Sequence, residues 1–393
     1  MKDHALLING YPFASDQFNA NVGMPLVRIR DIYSTQTEIR YAGEPIDAAI
    51  IDTGDVLVGM DGEFNVAVWA GGRALLNQRV CCLRTLPSLN QRFLAYFLPI
   101  PLSVINDLTH STTVKHLSSG DILSIRMPFP TLRHQATIVA YLDRETAKID
   151  KMIVAKERLL EILAEKRRAL ITHAVTRGLS FDVGVKDSGV EWLGPIPAHW
   201  QTERAKWLFR ERDERSGEGD EELLTVSHIT GVTPRSEKDV TMFEAETTEG
   251  YKRCYPGDLV VNTLWAWMGA MGVSKHEGIV SPAYNVYVPS GRLTPEYVEA
   301  VCRTQCFADE TRRFSKGVWS SRLRLYPEGL FAIQYPVPPI EEQYAIVKHV
   351  AGETRRIDAV RKALEHSISV LRERRSALIA AAVTGQVDLE SAA

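Results

Sequence analysis

The chain has 393 residues, 45% of them hydrophobic and 24% charged, with a formal net charge of −3. That length fits two domains or a repeated pair better than one core, and the composition excludes a predominantly disordered chain. The charge argues against a strongly basic coat for nucleic acid while leaving room for local basic surfaces.

The opening MKDHALLINGYPF lacks the apolar core of a secretory signal, and no run of about 18 apolar residues follows to span a membrane. A cytoplasmic protein is expected. Residues 1–127 read as a first variable unit. Short apolar strands are predicted at Ala49–Ile51, Val56–Gly59, Val66–Trp69 and Val80–Leu83, with Gly54-Asp55 as a turn signal and a helical stretch near 90–108. Between them lie loops rich in amide, hydroxyl and basic groups: Gly59 to Asn65, then Asn77, Gln78 and Arg79, then Ser111, Thr112, Thr113, Val114, Lys115 and His116. Such groups supply the donors and acceptors needed at base edges and phosphates.

Residues 128–180 form a first constant segment. Pro128 and Pro130 set the chain's entry into a helix that is predicted to stop at Gly178. Leu142, Ile149, Leu163 and Leu170 hold heptad positions, interrupted by Lys156, which is the spacing of a coiled coil. About 45 residues at 1.5 Å each give a rod of roughly 65 Å.

A second variable unit spans 181–335. It opens with GVEWLGPIPAHW (Gly189–Trp200), then shows strands at Leu259–Val261 and Asn285–Val288, the Gly257-Asp258 turn and a helical stretch near 295–314. Its loops are Asn262 to Gly272, Ser281-Pro282-Ala283-Tyr284, and a basic stretch holding Arg312, Arg313, Phe314, Lys316, Trp319, Ser320, Ser321, Arg322 and Arg324. Residues 336–386 are a second constant segment. Val350, Ile357, Leu364, Leu371 and Leu378 fall seven apart before Gly385, and a tail of 387–393 follows.

The two constant segments match without a gap at an offset of 208: twenty of the 49 positions in 128–176 and 336–384 are identical, among them Gln135/Gln343, Asp150/Asp358 and Ala174/Ala382. Upstream, PLVRIRDI echoes LLTVSHIT, and TGDVLVGM echoes PGDLVVNT. The chain is therefore a tandem duplication in which the helical parts kept a shared surface while the other parts diverged. A duplicated pair of helices packed about a pseudo-two-fold axis would be antiparallel; a parallel or intermolecular pairing is the alternative. The expected fold is α+β, with two recognition domains joined by two long helices forming an antiparallel coiled coil.

The P-x-P…Q-x-x-I-V helices, EWLGPIPAHW, GDVLV with LNQRV, STTVKHL and SPAY together give the chain, over nearly its whole length, a resemblance to the specificity subunit of type I restriction–modification systems. The resemblance implies that each variable unit is a target recognition domain reading one half of a split, asymmetric DNA site. The helices would act as the ruler between the halves and dock two methyltransferase subunits, which motor–nuclease subunits then join. S-adenosylmethionine, ATP and magnesium would belong to those partners, with no cofactor or metal in this non-catalytic chain. The DNA-binding candidates are Asn77, Gln78, Arg79, Ser111, Thr112, Thr113, Lys115 and His116 in the first domain, and Tyr284, Arg312, Arg313, Lys316, Trp319, Ser320 and Arg322 in the second. Gln135, Arg167, Arg168, Gln343, Arg374 and Arg375, on the repeated helices, are candidates for the partner interface.

Catalytic readings have little support in the sequence. No GxxxxGK[ST] loop is present. SPAY resembles the N/D/S-P-P-Y/F/W motif of aminomethyltransferases, but Ala283 replaces the second proline. A stand-alone DNA adenine methyltransferase, or a coiled-coil scaffold that does not bind DNA, are the competing readings. Cys302 and Cys306 have no second Cys or His pair at zinc-finger spacing, so the five cysteines are read as small, reduced, mostly buried residues. The first half has only 24 residues before Pro25 and no EWLGPIPAHW counterpart; the C-terminal end is expected to complete it.

Overall fold

The computed structural model describes residues 1–108, 115–180, 182–237, 247–317 and 323–387. They form two compact units, one of Met1–Glu157 with His366–Ala393 and one of Arg158–Glu365.

Unit 1 is centred on an antiparallel sheet of β1 (Ala5–Asn9), β2 (Val56–Gly59), β3 (Val66–Val68) and β4 (Val80–Thr85) in the order β1-β4-β2-β3. Alternate side chains leave opposite faces of a strand, and here both faces are covered. Val56, Val58, Cys81 and Leu83 pack with Phe93, Leu94 and Phe97 of α1 (Gln91–Phe97). Leu57, Val80 and Cys82 face a second layer with Val27, Ile32 and Trp69. Two buried faces explain why β2 reads as a continuous apolar run and not as an alternating one. The helices α2 (Pro99–Leu108) and α3 (Ser119–Ser124) follow.

Unit 2 repeats this topology. Its strands β5 (Phe209–Arg212), β6 (Leu259–Asn262), β7 (Met271–Val273) and β8 (Tyr284–Pro289) run antiparallel in the order β5-β8-β6-β7. Leu259 and Val261 face one core, Val260 and Val286 another. The helices α5 (Pro295–Cys302), α6 (Gln305–Phe314) and α7 (Pro327–Ala332) correspond to α1, α2 and α3.

Both Gly-Asp turns are present where the sequence signals them. Gly54 and Gly257 adopt φ of +98° and +94°, a region that L side chains enter only with strain. Each following carboxylate is buried and accepts from the backbone three residues earlier, Asp55 from Asp52 N at 3.0 Å and Asp258 from Tyr255 N at 2.9 Å. The compensating guanidinium comes from different strands: Arg84 of β4 binds Asp55, and Arg212 of β5 binds Asp258.

The constant segments form α4 (Leu132–Arg177) and α8 (Ile340–Val383). Gly178 and Gly385, both at φ +75°, end them. Within unit 1, Ile138, Val139 and Leu142 of α4 share a core with Ala382 and Val383 of α8. Within unit 2, Ile171, Ala174 and Val175 of α4 pack in the same core as Ile346 of α8. In each unit the start of one helix thus meets the end of the other, and the helices run antiparallel. Ion pairs show the same sense. Arg375 binds Asp150 at 2.8 Å and Arg372 binds Glu157 at 2.8 Å in unit 1, while Arg167 lies 4.0 Å from Asp358 in unit 2.

The end of α8 joins unit 1 and completes its core, as expected of the C-terminal end; the end of α4 makes the matching contact in unit 2, which holds the GVEWLGPIPAHW segment besides. In unit 2 that segment ties down the strap before α8. Trp192 Nε1 donates to Gln334 O, Trp200 Nε1 donates to Glu342 at 2.8 Å, and Gln201–Arg204 pairs with Gln334–Val337. In unit 1 the chain's first residues take this place: His4 stacks on Phe129 at 3.6 Å, and the Met1 amino group donates to Ile125 O.

Candidate nucleic-acid interface

The same three segments are tied into one loop cluster in each unit. In unit 1, Leu117 N donates to Met60 O at 2.7 Å, and Met60 N donates to Arg79 O at 3.0 Å. In unit 2, Leu325 N donates to Thr263 O at 2.9 Å, and Thr263 Oγ1 donates to Ala283 O at 2.7 Å. Leu117 and Leu325, both buried, stand 208 apart. The loop after the second strand, the turn before the fourth and the segment before the short helix are therefore clamped together twice over. Residues at matching places differ: Arg79 corresponds to Ala283, His116 to Arg324, and Asp61 to Leu264.

In unit 1 the cluster is polar. Asp61 accepts from or pairs with His116 Nδ1 at 2.7 Å and lies 3.4 Å from Arg79 Nε. Arg79, Gln78 and His116 are exposed. Of the sequence candidates, Gln78, Arg79 and His116 thus share one surface, and Asn77, whose Oδ1 accepts from Gln78 N at 2.7 Å, shapes the turn beneath it. Lys115 requires a correction. Its ammonium does not face outward but donates to Asn106 O at 2.6 Å and Asn106 Oδ1 at 2.9 Å, securing the end of α2. Ser111, Thr112 and Thr113 lie outside the described residues.

In unit 2 the cluster is aromatic and basic. The loop after β6 makes a 3₁₀ turn, Ala266–Met268, fixed by buried Ala266 and by Thr311 Oγ1 donating to Ala266 O at 2.9 Å. On it Trp265 stacks on Trp267, with centroids 6.1 Å apart and planes 22° apart. The Arg312 guanidinium lies 5.8 Å over Trp267. Lys316 and Arg324 exchange backbone hydrogen bonds at 2.9 Å, and Arg324 Nε donates to Thr263 Oγ1 at 3.1 Å. Arg312, Arg313 and Lys316 are all exposed, and Arg313 is in addition held by Glu310 at 2.7 and 2.8 Å. Tyr284 requires a second correction. It pairs with Asn262 as Val80 pairs with Gly59, so it takes the place of a core residue, and burial pushes its phenol upward from the usual range. SPAY is a turn feeding this strand: Tyr284 N donates to Ser281 O at 2.8 Å. Trp319, Ser320 and Arg322 lie outside the described residues.

The sequence profile of the type I restriction modification DNA specificity domain matches residues 2–159. The type I restriction enzyme EcoBI specificity subunit of Escherichia coli is 30% identical over 414 residues, covering 98% of this chain and 85% of that protein. The chain belongs to the family of type I restriction–modification specificity subunits. The EcoDI specificity subunit of the same organism is 20% identical over 367 residues, covering 87% of this chain and 80% of that one. Among solved structures, a chain from work on complex assembly and conformational transition of the type I R-M system aligns at a TM-score of 0.71 and 16% identity, covering 98% of both chains. The HsdS subunit from Thermoanaerobacter tengcongensis aligns at 0.53 and 16%, covering 93% of this chain and 91% of that one. These likenesses show that this specificity subunit has their fold.

The helix residues expected at a partner interface divide into three kinds. Gln135 and Gln343 have no exposure at all, which corrects that expectation. Gln135 Oε1 accepts from Asn90 N at 2.7 Å and Nε2 donates to Ser88 O and Pro130 O. Gln343 Oε1 accepts from Thr294 N at 2.7 Å and Nε2 donates to Arg292 O and Pro338 O. Each amide pins its long helix to the cap of α1 or α5. Arg167 and Arg375 are repeat mates, and so are Asp150 and Asp358, so the ion pairs between the helices account for the recurrence of both arginines. Arg168 and Arg374 are exposed on the helix surface.

Sequence reasoning did not single out Asp61, Trp265 or Trp267. The signal for the tryptophans was an indole-x-indole pattern in a predicted loop, which is costly to expose unless something covers it. For Asp61 nothing in the sequence distinguishes it from an ordinary surface acid.

Proposed function

We propose that this specificity subunit reads a bipartite DNA site, unit 1 contacting one half through Gln78, Arg79, Asp61 and His116, and unit 2 the other through the loop cluster around Trp265, Arg312, Lys316 and Arg324. What supports this most directly is the same clamped loop cluster built twice on one topology with different side chains, as two readers of unlike sequences require. The helices set the unspecified spacer and carry two methyltransferase subunits, to which motor–nuclease subunits add. S-adenosylmethionine, ATP and magnesium work in those partners, and this chain acts in the cytoplasm as a non-catalytic component. Among the described residues no group of three or more His, Cys, Asp and Glu could hold a metal ion, and no helix is long and apolar enough to cross a membrane.

The test is selection of random duplexes by the chain bound to its methyltransferase. Enrichment of a split motif, with affinity falling steeply as salt rises, is the expected result. Failure to enrich any such motif overturns the reading.

A further inference from the structure

The two clamped clusters differ in kind. Unit 1 presents hydrogen-bonding groups, and its loop ring, Phe64, is buried. Unit 2 turns one ring and two aliphatic side chains outward. Trp265 is 51% exposed, Leu264 47% and Met268 39%. Exposed apolar area of this sort is a standing cost unless a partner covers it. The turn that carries it is also rigid. Trp265 N donates to Asn262 O at 3.0 Å, Gly269 N donates to Ala266 O at 2.8 Å, Trp267 Nε1 donates to Leu264 O at 3.0 Å, and Gly269 accepts φ of +83°. The outer indole is thus braced from behind by the inner one, which the Arg312 guanidinium faces in turn.

Resting on the reading proposed above, we infer that Trp265 is an apolar wedge that enters the duplex between neighbouring base pairs of the half-site read by unit 2 and unstacks that step. The occupant is argued from charge. Arg312 faces Trp267, and Arg324, bridged to Lys316, is bound to Thr263 two residues before Trp265, so the turn is accompanied by cations that can hold phosphates beside an inserted ring. Trp265 stands half-exposed on the turn with Trp267 stacked against it, an arrangement that offers one ring for insertion into a stack. Apolar side chains used in this way unstack a step and kink the duplex, a cost repaid by the added contacts. Unit 2 therefore selects a deformable step at the point of entry, such as TA or CA/TG, as well as base edges. Unit 1, with Asp61, Arg79 and His116 at the matching place, reads an undistorted half.

The test uses the full chain with its methyltransferase and a duplex carrying the selected motif, with 2-aminopurine placed singly along both half-sites. Apart from the target base that the methyltransferase itself extrudes, emission on binding should rise at one further step of the unit 2 half and at none in the unit 1 half. A mismatch at that step prepays the unstacking and should tighten binding roughly tenfold or more. Trp265→Ala should abolish the emission change at that further step and weaken binding roughly 5- to 150-fold, the range for loss of one ring–base stack. Trp265→Phe, which keeps a ring, should retain much of both, and covers the case in which the alanine variant misfolds. No change of emission in the unit 2 half beyond that at the methyltransferase's own target base refutes the wedge. So does a Trp265→Ala variant that binds DNA normally but loses its methyltransferase, because the indoles then cover a protein surface. Wild-type protein that selects no motif defeats instead the reading on which the wedge rests.

Discussion

Gln343→Ala tests whether the recurring glutamine is an internal pin or a contact for another subunit. The side chain is wholly buried and makes three hydrogen bonds, at 2.7, 3.0 and 2.9 Å. At about 0.5–1.5 kcal/mol net for each, their loss costs about 2–4 kcal/mol, with the orphaned Thr294 N–H at the head of α5 favouring the upper end. For a unit of this size about 2–4 °C of melting temperature is lost per kcal/mol, so unit 2 should melt roughly 5–15 °C lower. Calorimetry gives the shift, and hydrogen exchange should localise it to Pro295–Cys302 and the start of α8. Gln135→Ala should do the same in unit 1 at its own cap, Asn90. A variant with unchanged melting and exchange that fails to bind the methyltransferase would show that the glutamine is an interface residue after all, and the pin would be wrong.

Three further outcomes are expected. Asp61→Ala frees Arg79 and His116 and should alter selection in one half-site only, as read by repeating the duplex selection; equal change in both halves would contradict separate readers. Arg212→Ala leaves the Asp258 carboxylate buried without its guanidinium and should destabilise unit 2 by about 3–5 kcal/mol, measured by denaturant unfolding; a cost under about 1 kcal/mol would show that the pair is solvated like a surface bridge. Native chain at pH 8 should give one fast-reacting thiol, Cys306. The other four are buried, and burial pushes Cys81 and Cys254 up to about 12 and Cys82 and Cys302 higher still, so the reactive thiolate is scarce there. Rapid modification of two or more thiols in the folded chain would refute that placement.

The parts of the fold that were legible share one property, a periodic or repeated signal. The long helices showed themselves through heptads and the offset of 208, the inner strands through apolar runs, and the turns through Gly54-Asp55 and Gly257-Asp258. Strand β5 was not legible, because FRER is charged along an edge, where only one side is paired; its Arg212 does its work on Asp258 of another turn. The site was legible as a set of loops but not as side-chain directions. Lys115 and Tyr284 have the right chemistry for DNA, yet one is captured by Asn106 and the other sits at a register position that unit 1 fills with valine. Gln135 and Gln343 misled for the opposite reason: recurrence in both helices marks a shared need, and that need is an internal one. Trp265 and Trp267 became meaningful only when Thr311 and Ala266 were seen to fix the turn that carries them.

That one unit is an unbroken stretch, Arg158–Glu365, while the other needs both Met1–Glu157 and His366–Val387, sets an order for biogenesis. On the ribosome the unit encoded second has all its parts first. The unit encoded first must wait, with Leu142 and its neighbours uncovered, until Leu378, Ile379 and Val383 emerge to close it. Its long-range contacts make that the slow and aggregation-exposed step. Loss of the last turns of α8 would therefore harm the unit encoded first, and spare the one encoded just before the lesion.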